Sequence, residues 1–124
     1  MITVNEVYTN LANAVETAYP DFYCTRSYEP VPKSLPCLYF REFHYRPRGS
    51  ITLDFGDEVF NSSIYVELYM TETDDINGII ALIETTMNGM YFIEEMCTQL
   101  NNIDPTLERY SLRFFRKMCK GDTV

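Results

Sequence analysis

Hydrophobic and polar positions run through this chain with two different periods. Val4, Val7, Tyr8, Leu11, Val15 and Ala18 recur at helical spacing, while Asn5, Asn10, Asn13 and Glu16 take the other side. Thr3 and Glu6 make a T-x-x-E capping box before this stripe, and Pro20 marks its end. From "DFYCTRSY" onward the period changes to two, which predicts a short strand near 22–28. The proline-rich connector "EPVPKSLP" leads into "CLYFREFHY", a strand at about 37–45. Cys37, Tyr39, Arg41, Phe43 and Tyr45 share one face there, and Leu38, Phe40, Glu42 and His44 the other. Both faces start apolar and become polar, so the first half should be covered and the second should emerge toward solvent.

"VFNSSIYVELYMT", Val59 to Thr71, is the clearest strand: Ile64, Val66, Leu68 and Met70 alternate with Tyr65, Glu67 and Tyr69. A second helical stripe follows in Ile76, Ile79, Ile80, Ile83 and Met87. Thr73, Asp74 and Asp75 should supply its cap and a negative first turn, and "NG" at Asn88 and Gly89 its stop. Gly78 weakens that helix, so close packing is expected there. Two aromatic-rich strands, "MYFIEEMCTQL" and "LERYSLRFFRKMC", close the chain around the turn "NNIDPT".

Strands joined by loops pair antiparallel, and two apolar-faced helices need one sheet face to cover. The expected fold is therefore α+β, a single domain over residues 1–124. It has a mostly antiparallel sheet of about five strands with two helices on one face, in the order α-β-β-β-α-β-β. Val7, Leu11, Val15, Ile76, Ile80 and Ile83 should join helices to sheet.

Composition narrows the function. With 46% hydrophobic residues, 15% aromatics and 124 residues, the chain is long and apolar enough for a real core. Ten Tyr and eight Phe without any Trp suit half-buried strands and contact surfaces. A formal net charge of −8 argues against nonspecific nucleic-acid binding. Arg109, Arg113, Arg116, Lys117 and Lys120 nevertheless gather half of the ten basic residues near the C-terminus. Acids such as Glu108 can pair with them, which favours a solvated strand face over a basic patch. The four cysteines, Cys24, Cys37, Cys97 and Cys119, lack CxxC spacing, and no signal peptide is recognisable, so free thiols in a reducing compartment are expected. No stretch approaches the length of a membrane span.

Catalytic and metal motifs are weak throughout. The only histidine, His44, shares a strand face with Glu42 but has no nucleophile partner. "DFGDE" lacks the other kinase motifs and misses EF-hand spacing, so a solvated acidic loop is favoured over calcium or magnesium binding. Glu94 and Glu95 should point to opposite faces of a strand, which is no catalytic carboxylate pair. The glycines form no phosphate-binding pattern. No catalytic, cofactor or metal residue is assigned, and the chain is not expected to be an enzyme.

The segment from Arg46 to Glu58 is long, carries both charge signs and joins two clear strands, which makes it the expected binding loop. Its candidate interface residues are Arg46, Arg48, Asp54, Phe55, Asp57 and Glu58.

The proline-led "LPCLYFREF", the helix ending in "MNG", and "CTQLNNIDPTLERYSLRFF", whose second strand carries "RYSLRF", stand in an order that resembles the tail terminator, or tail-completion, family of tailed bacteriophages. The resemblance spans nearly the whole chain and is architectural, without a catalytic signature. It implies a structural virion protein that forms a hexameric ring at the head-proximal end of the tail. Such a ring ends tube polymerisation and joins tail to head. It implies as partners further copies of the chain, the tail tube protein and the head–tail connector, with no membrane. DNA would cross the lumen without specific binding, and an acidic chain would not stick to its phosphates. Assembly would occur in the host cytoplasm, from subunits that need not form rings alone. Two alternatives stay open: another neck protein, such as a head-completion or stopper subunit, and a small-ligand binding domain built on the tyrosine-rich sheet.

Overall fold

The computed structural model describes residues 3–27, 32–45, 59–100 and 106–119. The chain is α+β, with two helices and a five-stranded, mostly antiparallel sheet in the order expected. Helix α1 spans Val4–Ala18, and α2 spans Ile76–Gly89. The strands are β1 (Tyr23–Thr25), β2 (Cys37–Tyr45), β3 (Val59–Thr71), β4 (Ile93–Leu100) and β5 (Leu107–Cys119). In space they run β1-β2-β3-β5-β4, so β1 and β4 are the edges.

The capping box forms as expected: the Glu6 N–H donates to Thr3 Oγ1 at 3.2 Å, and the Thr3 N–H donates to Glu6 Oε2 at 3.3 Å. The apolar stripes meet the sheet. Val7, Leu11 and Val15 of α1 and Ile79, Ile83 and Met87 of α2 are buried in one cluster with Leu38, Phe40, Ile64, Val66, Leu68, Met70, Leu112 and Phe114. Removing an aliphatic side chain of this size from water is worth about 1.5–3 kcal/mol, so this cluster dominates the favourable side of folding. Ile76 and Ile80 only flank it, and Ala18 is exposed while Ala12 is buried. The stripe drawn from spacing was thus slightly rotated from the true contact line. On β2, Cys37, Leu38 and Phe40 are buried whereas Arg41 and Glu42 are exposed, which is the gradient expected.

Two local expectations fail for physical reasons. First, β1 pairs with β2 in parallel, with Tyr23 opposite Cys37 and Thr25 opposite Tyr39. The connector between them is long enough to carry the chain back to its starting end, which a tight hairpin cannot do. Second, the first turn of α2 holds no acid. Asp75 is the N-cap, accepting from the Gly78 N–H at 3.3 Å, while Asp74 accepts from the Thr71 N–H at 2.8 Å and ties the helix entry to the end of β3. Helix α2 does stop at Gly89, as expected, and the left-handed residue of its exit is Tyr91, with φ 66°. The Phe92 N–H reaches the Met87 carbonyl at 3.1 Å and the Tyr91 N–H reaches Asn88 at 3.0 Å, the bond pattern of a Schellman cap. Phe92 is then buried in the same cluster as Met87, the apolar contact that accompanies such caps.

Gly78 does pack closely. A Cβ there would collide with the Asp75 carboxylate and lie 2.6 Å from the Tyr19 hydroxyl. Its absence lets the Tyr19 hydroxyl donate to Asp75 Oδ2 at 3.0 Å, which joins the end of α1 to the start of α2. At the other end, Arg26 donates to Asn5 at 2.6 Å and lies 5.5 Å from the Tyr8 ring, itself edge-on to Phe40. Among the described residues, no helix is long and apolar enough to cross a membrane.

Candidate interaction surface

The alternation that buries Ile64, Val66 and Leu68 turns Tyr65, Glu67 and Tyr69 to the opposite side of β3. Register carries the same parity across the sheet. Tyr65 lies between Arg41 of β2 and Arg113 of β5, and Tyr69 pairs with Arg109. Both helices cover the other side, and no described element covers this one.

Arginine and tyrosine interlock on this face. The Arg41 and Arg113 guanidinium groups sit 4.9 and 5.0 Å from the centre of the Tyr65 ring, and Arg109 sits 5.2 Å from Tyr69. Glu67 Oε2 accepts from the Tyr69 hydroxyl at 3.1 Å and from Arg109 at 3.4 Å. Arg113 pairs with Glu95 at 3.0 Å. Cation–π contacts at such sites are worth about 0.5–1 kcal/mol each. Together they hold long side chains flat and preordered, which lowers the entropy cost of binding a partner.

At the β4 margin the same face becomes apolar. Ile93 pairs with Phe115 and Met96 with Arg113, and a bulge between Glu94 and Met96 places Glu95 beside them. Ile93 and Met96 are 59% and 43% exposed, high values for apolar side chains on a strand. Tyr91, just before β4, is 78% exposed and lies at the rim of the sheet, 5.8 Å from the guanidinium of Arg116, a residue of the helix-covered parity of β5.

On the helix-covered side, α2 and β4 bring two carboxyl groups together. Glu94 shares a hydrogen bond with Glu84, and its pKa is pushed up to about 7, first by that bond, then by burial and by the charge of Glu84. Glu94 therefore holds its proton well above the ordinary carboxyl range, with Glu84 as its hydrogen-bond partner. Burial and then these same carboxyls raise the Cys97 thiol above its ordinary range. Cys24 is pushed up to about 12 by burial and by Glu16, so it is an inert thiol. Among the described residues, no three Cys, His, Asp or Glu side chains converge where a metal ion could sit.

Two clefts lie between the end of α1, the approach to β2 and the entry to α2. One of about 150 Å³ is lined by residues including Tyr19, Phe22 and Ile79. The other, of about 390 Å³, is lined by Asp21, Ser34, Leu35, Pro36, Thr71, Thr73 and Asp74.

The loop candidates Arg46, Arg48, Asp54, Phe55, Asp57 and Glu58 all lie outside the described residues. His44 occupies β2 opposite Ser62, and its side chain also lies outside them. Glu94 and Glu95 do diverge as expected, one to Glu84 and the other to Arg113. Sequence reasoning missed the Glu84–Glu94 pair, because no motif joins a helix residue to a strand residue ten positions on. The tyrosine–arginine face was legible in part, as the shared parity of Tyr65, Glu67 and Tyr69. No family model and no curated protein matches this chain.

Proposed function

We propose that this chain is a structural ring subunit of a tailed bacteriophage, similar to tail terminators, that ends tube growth and joins tail to head. The observation that carries this reading is the uncovered sheet face: tyrosine, arginine, isoleucine and methionine side chains in one continuous surface on a rigid sheet. That mixture matches the composition of protein interfaces, where aromatic residues, Met and Arg are enriched. The order of elements and the acidic balance, suited to a lumen that passes DNA, support the same reading. The proposed role is mechanical, without catalysis or cofactor, and its partners are further copies, the tail tube and the head connector. The virion neck is its proposed location.

The test adds purified chain to polymerising tail tube protein encoded in the same genome. Tubes of limited length, each ending in a ring of this chain under the electron microscope, are expected. Tubes of unchanged length with no terminal density would overturn the proposal.

A further inference from the structure

We propose that the uncovered sheet face seats on the acidic, helix-covered side of a second copy of this chain, head to tail. The closed ring rests on the function proposed above; the pairing itself rests on the two surfaces.

Charge decides the orientation. The uncovered face carries Arg41, Arg109 and Arg113 against Glu67 and Glu95. The helix-covered side carries Glu6, Glu16, Glu42, Glu84 and Glu108, with only Arg26, which pairs with Glu42 at 3.6 Å, and Arg116 described among them. Two uncovered faces packed together would oppose arginine to arginine. Face against helix side sets a positive surface on a negative one, which favours the right partner and repels the wrong one. Such a contact uses two different patches, so it is heterologous and either closes into a ring or continues as a filament.

Area decides the strength. The described side chains of the face span four strands and nine residues of β3 (63–71). At about 3.3 Å per residue and about 4.8 Å per strand, that is roughly 600 Å². A stable pair contributes about 800 Å² per partner, so this contact is at the weak end of specific interfaces. A single pair is then weak in solution, and closing a ring strengthens it because each copy is held at two contacts. Ile93 and Met96 form the apolar corner that such a contact desolvates.

The experiment measures self-association of the full chain by sedimentation velocity, up to millimolar concentration, at low and high salt. We expect association at low salt that weakens as salt rises. Arg41→Glu with Arg113→Glu should weaken it by about tenfold or more. Glu16→Arg with Glu84→Arg should do the same from the other side. Mixing these two charge-reversed variants sets opposite charges together again at both kinds of contact, so the association lost in each variant alone should return in the mixture. Circular dichroism confirms folding, and Ile93→Ser with Met96→Ser serves if the arginine variant fails to fold. A wild-type chain that stays monomeric throughout, or a face variant that associates normally, would overturn the proposal. So would arginine-dependent binding of a single-stranded oligonucleotide by the wild-type face, which would make it a stacking platform. Rings built by the face variants would sink this surface and leave the ring function standing. Pairing without tube capping would do the reverse.

Discussion

Tyr91 offers a sharp test of the local structure, because it adopts a backbone conformation that its side chain disfavours. Its φ of 66° places it in the left-handed region at the end of α2, where glycine is usual. For an L-residue that conformation costs roughly 1–2 kcal/mol. Tyr91→Gly removes this cost and adds roughly 0.5–1 kcal/mol of unfolded-chain entropy. It also gives up the contact between the ring and Arg116, worth about 0.5–1 kcal/mol at so exposed a site. These effects nearly cancel, so the glycine variant should stay within about 0.5 kcal/mol of wild type. Tyr91→Ala loses the ring contact and keeps the left-handed cost. It should fall below the glycine variant by about 1 kcal/mol, roughly 4 °C in melting temperature for a chain of this size. Urea unfolding of the three proteins, with the slope checked for constancy, measures both differences. An alanine variant as stable as the glycine variant would show that residue 91 is not left-handed in solution and that the Schellman cap is misassigned.

Other perturbations separate further claims. Ile83→Ala should lose about 2–5 kcal/mol in denaturant unfolding because Ile83 is fully buried, while half-buried Ile80→Ala should lose less; equal losses would misplace the core stripe. Gly78→Ala gains about 1 kcal/mol of helix propensity but drives a methyl group into Asp75 and Tyr19, so a lower melting temperature is expected and a higher one would show that the clash relaxes freely. Glu94 keeps its proton to a pH of about 7 in the folded chain, above the ordinary carboxyl value of 4.5, so its contribution to stability should hold below that value and fall as pH rises between the two. Glu94→Gln should abolish the fall and raise the melting temperature at pH 8 more than at pH 4; parallel wild-type and variant profiles would dismiss the shared proton.

Local chemistry made much of this fold readable before any coordinates. The capping box at Thr3 and Glu6 satisfies orphan N–H groups within one turn, so it needs no distant partner. The boundaries of β2, β3 and β5 fall where expected because alternation imposes the buried face directly. The exit of α2 was less legible: Gly89 carries the usual signal, yet the left-handed turn falls two residues later, where burying Phe92 beside Met87 outweighs the preference of Tyr91. The parallel pairing of β1 was equally hidden, since three residues have too little pattern to announce a direction.

The candidate surface divides along the same line. That Tyr65, Glu67 and Tyr69 share a side of β3 follows from a period of two residues and was determined by the sequence alone. Which arginines meet those rings depends on β3 lying between β2 and β5, a pairing that sets Tyr65 beside Arg113, 48 residues on. The proton shared by Glu84 and Glu94 likewise exists only because α2 packs over β4. Periodicity and capping act within one or two turns of chain and are written in neighbouring residues. Strand order, the choice of covered face and the approach of like charges come from burying both helices on one side of the sheet, an energy to which the whole core contributes and which no single segment encodes.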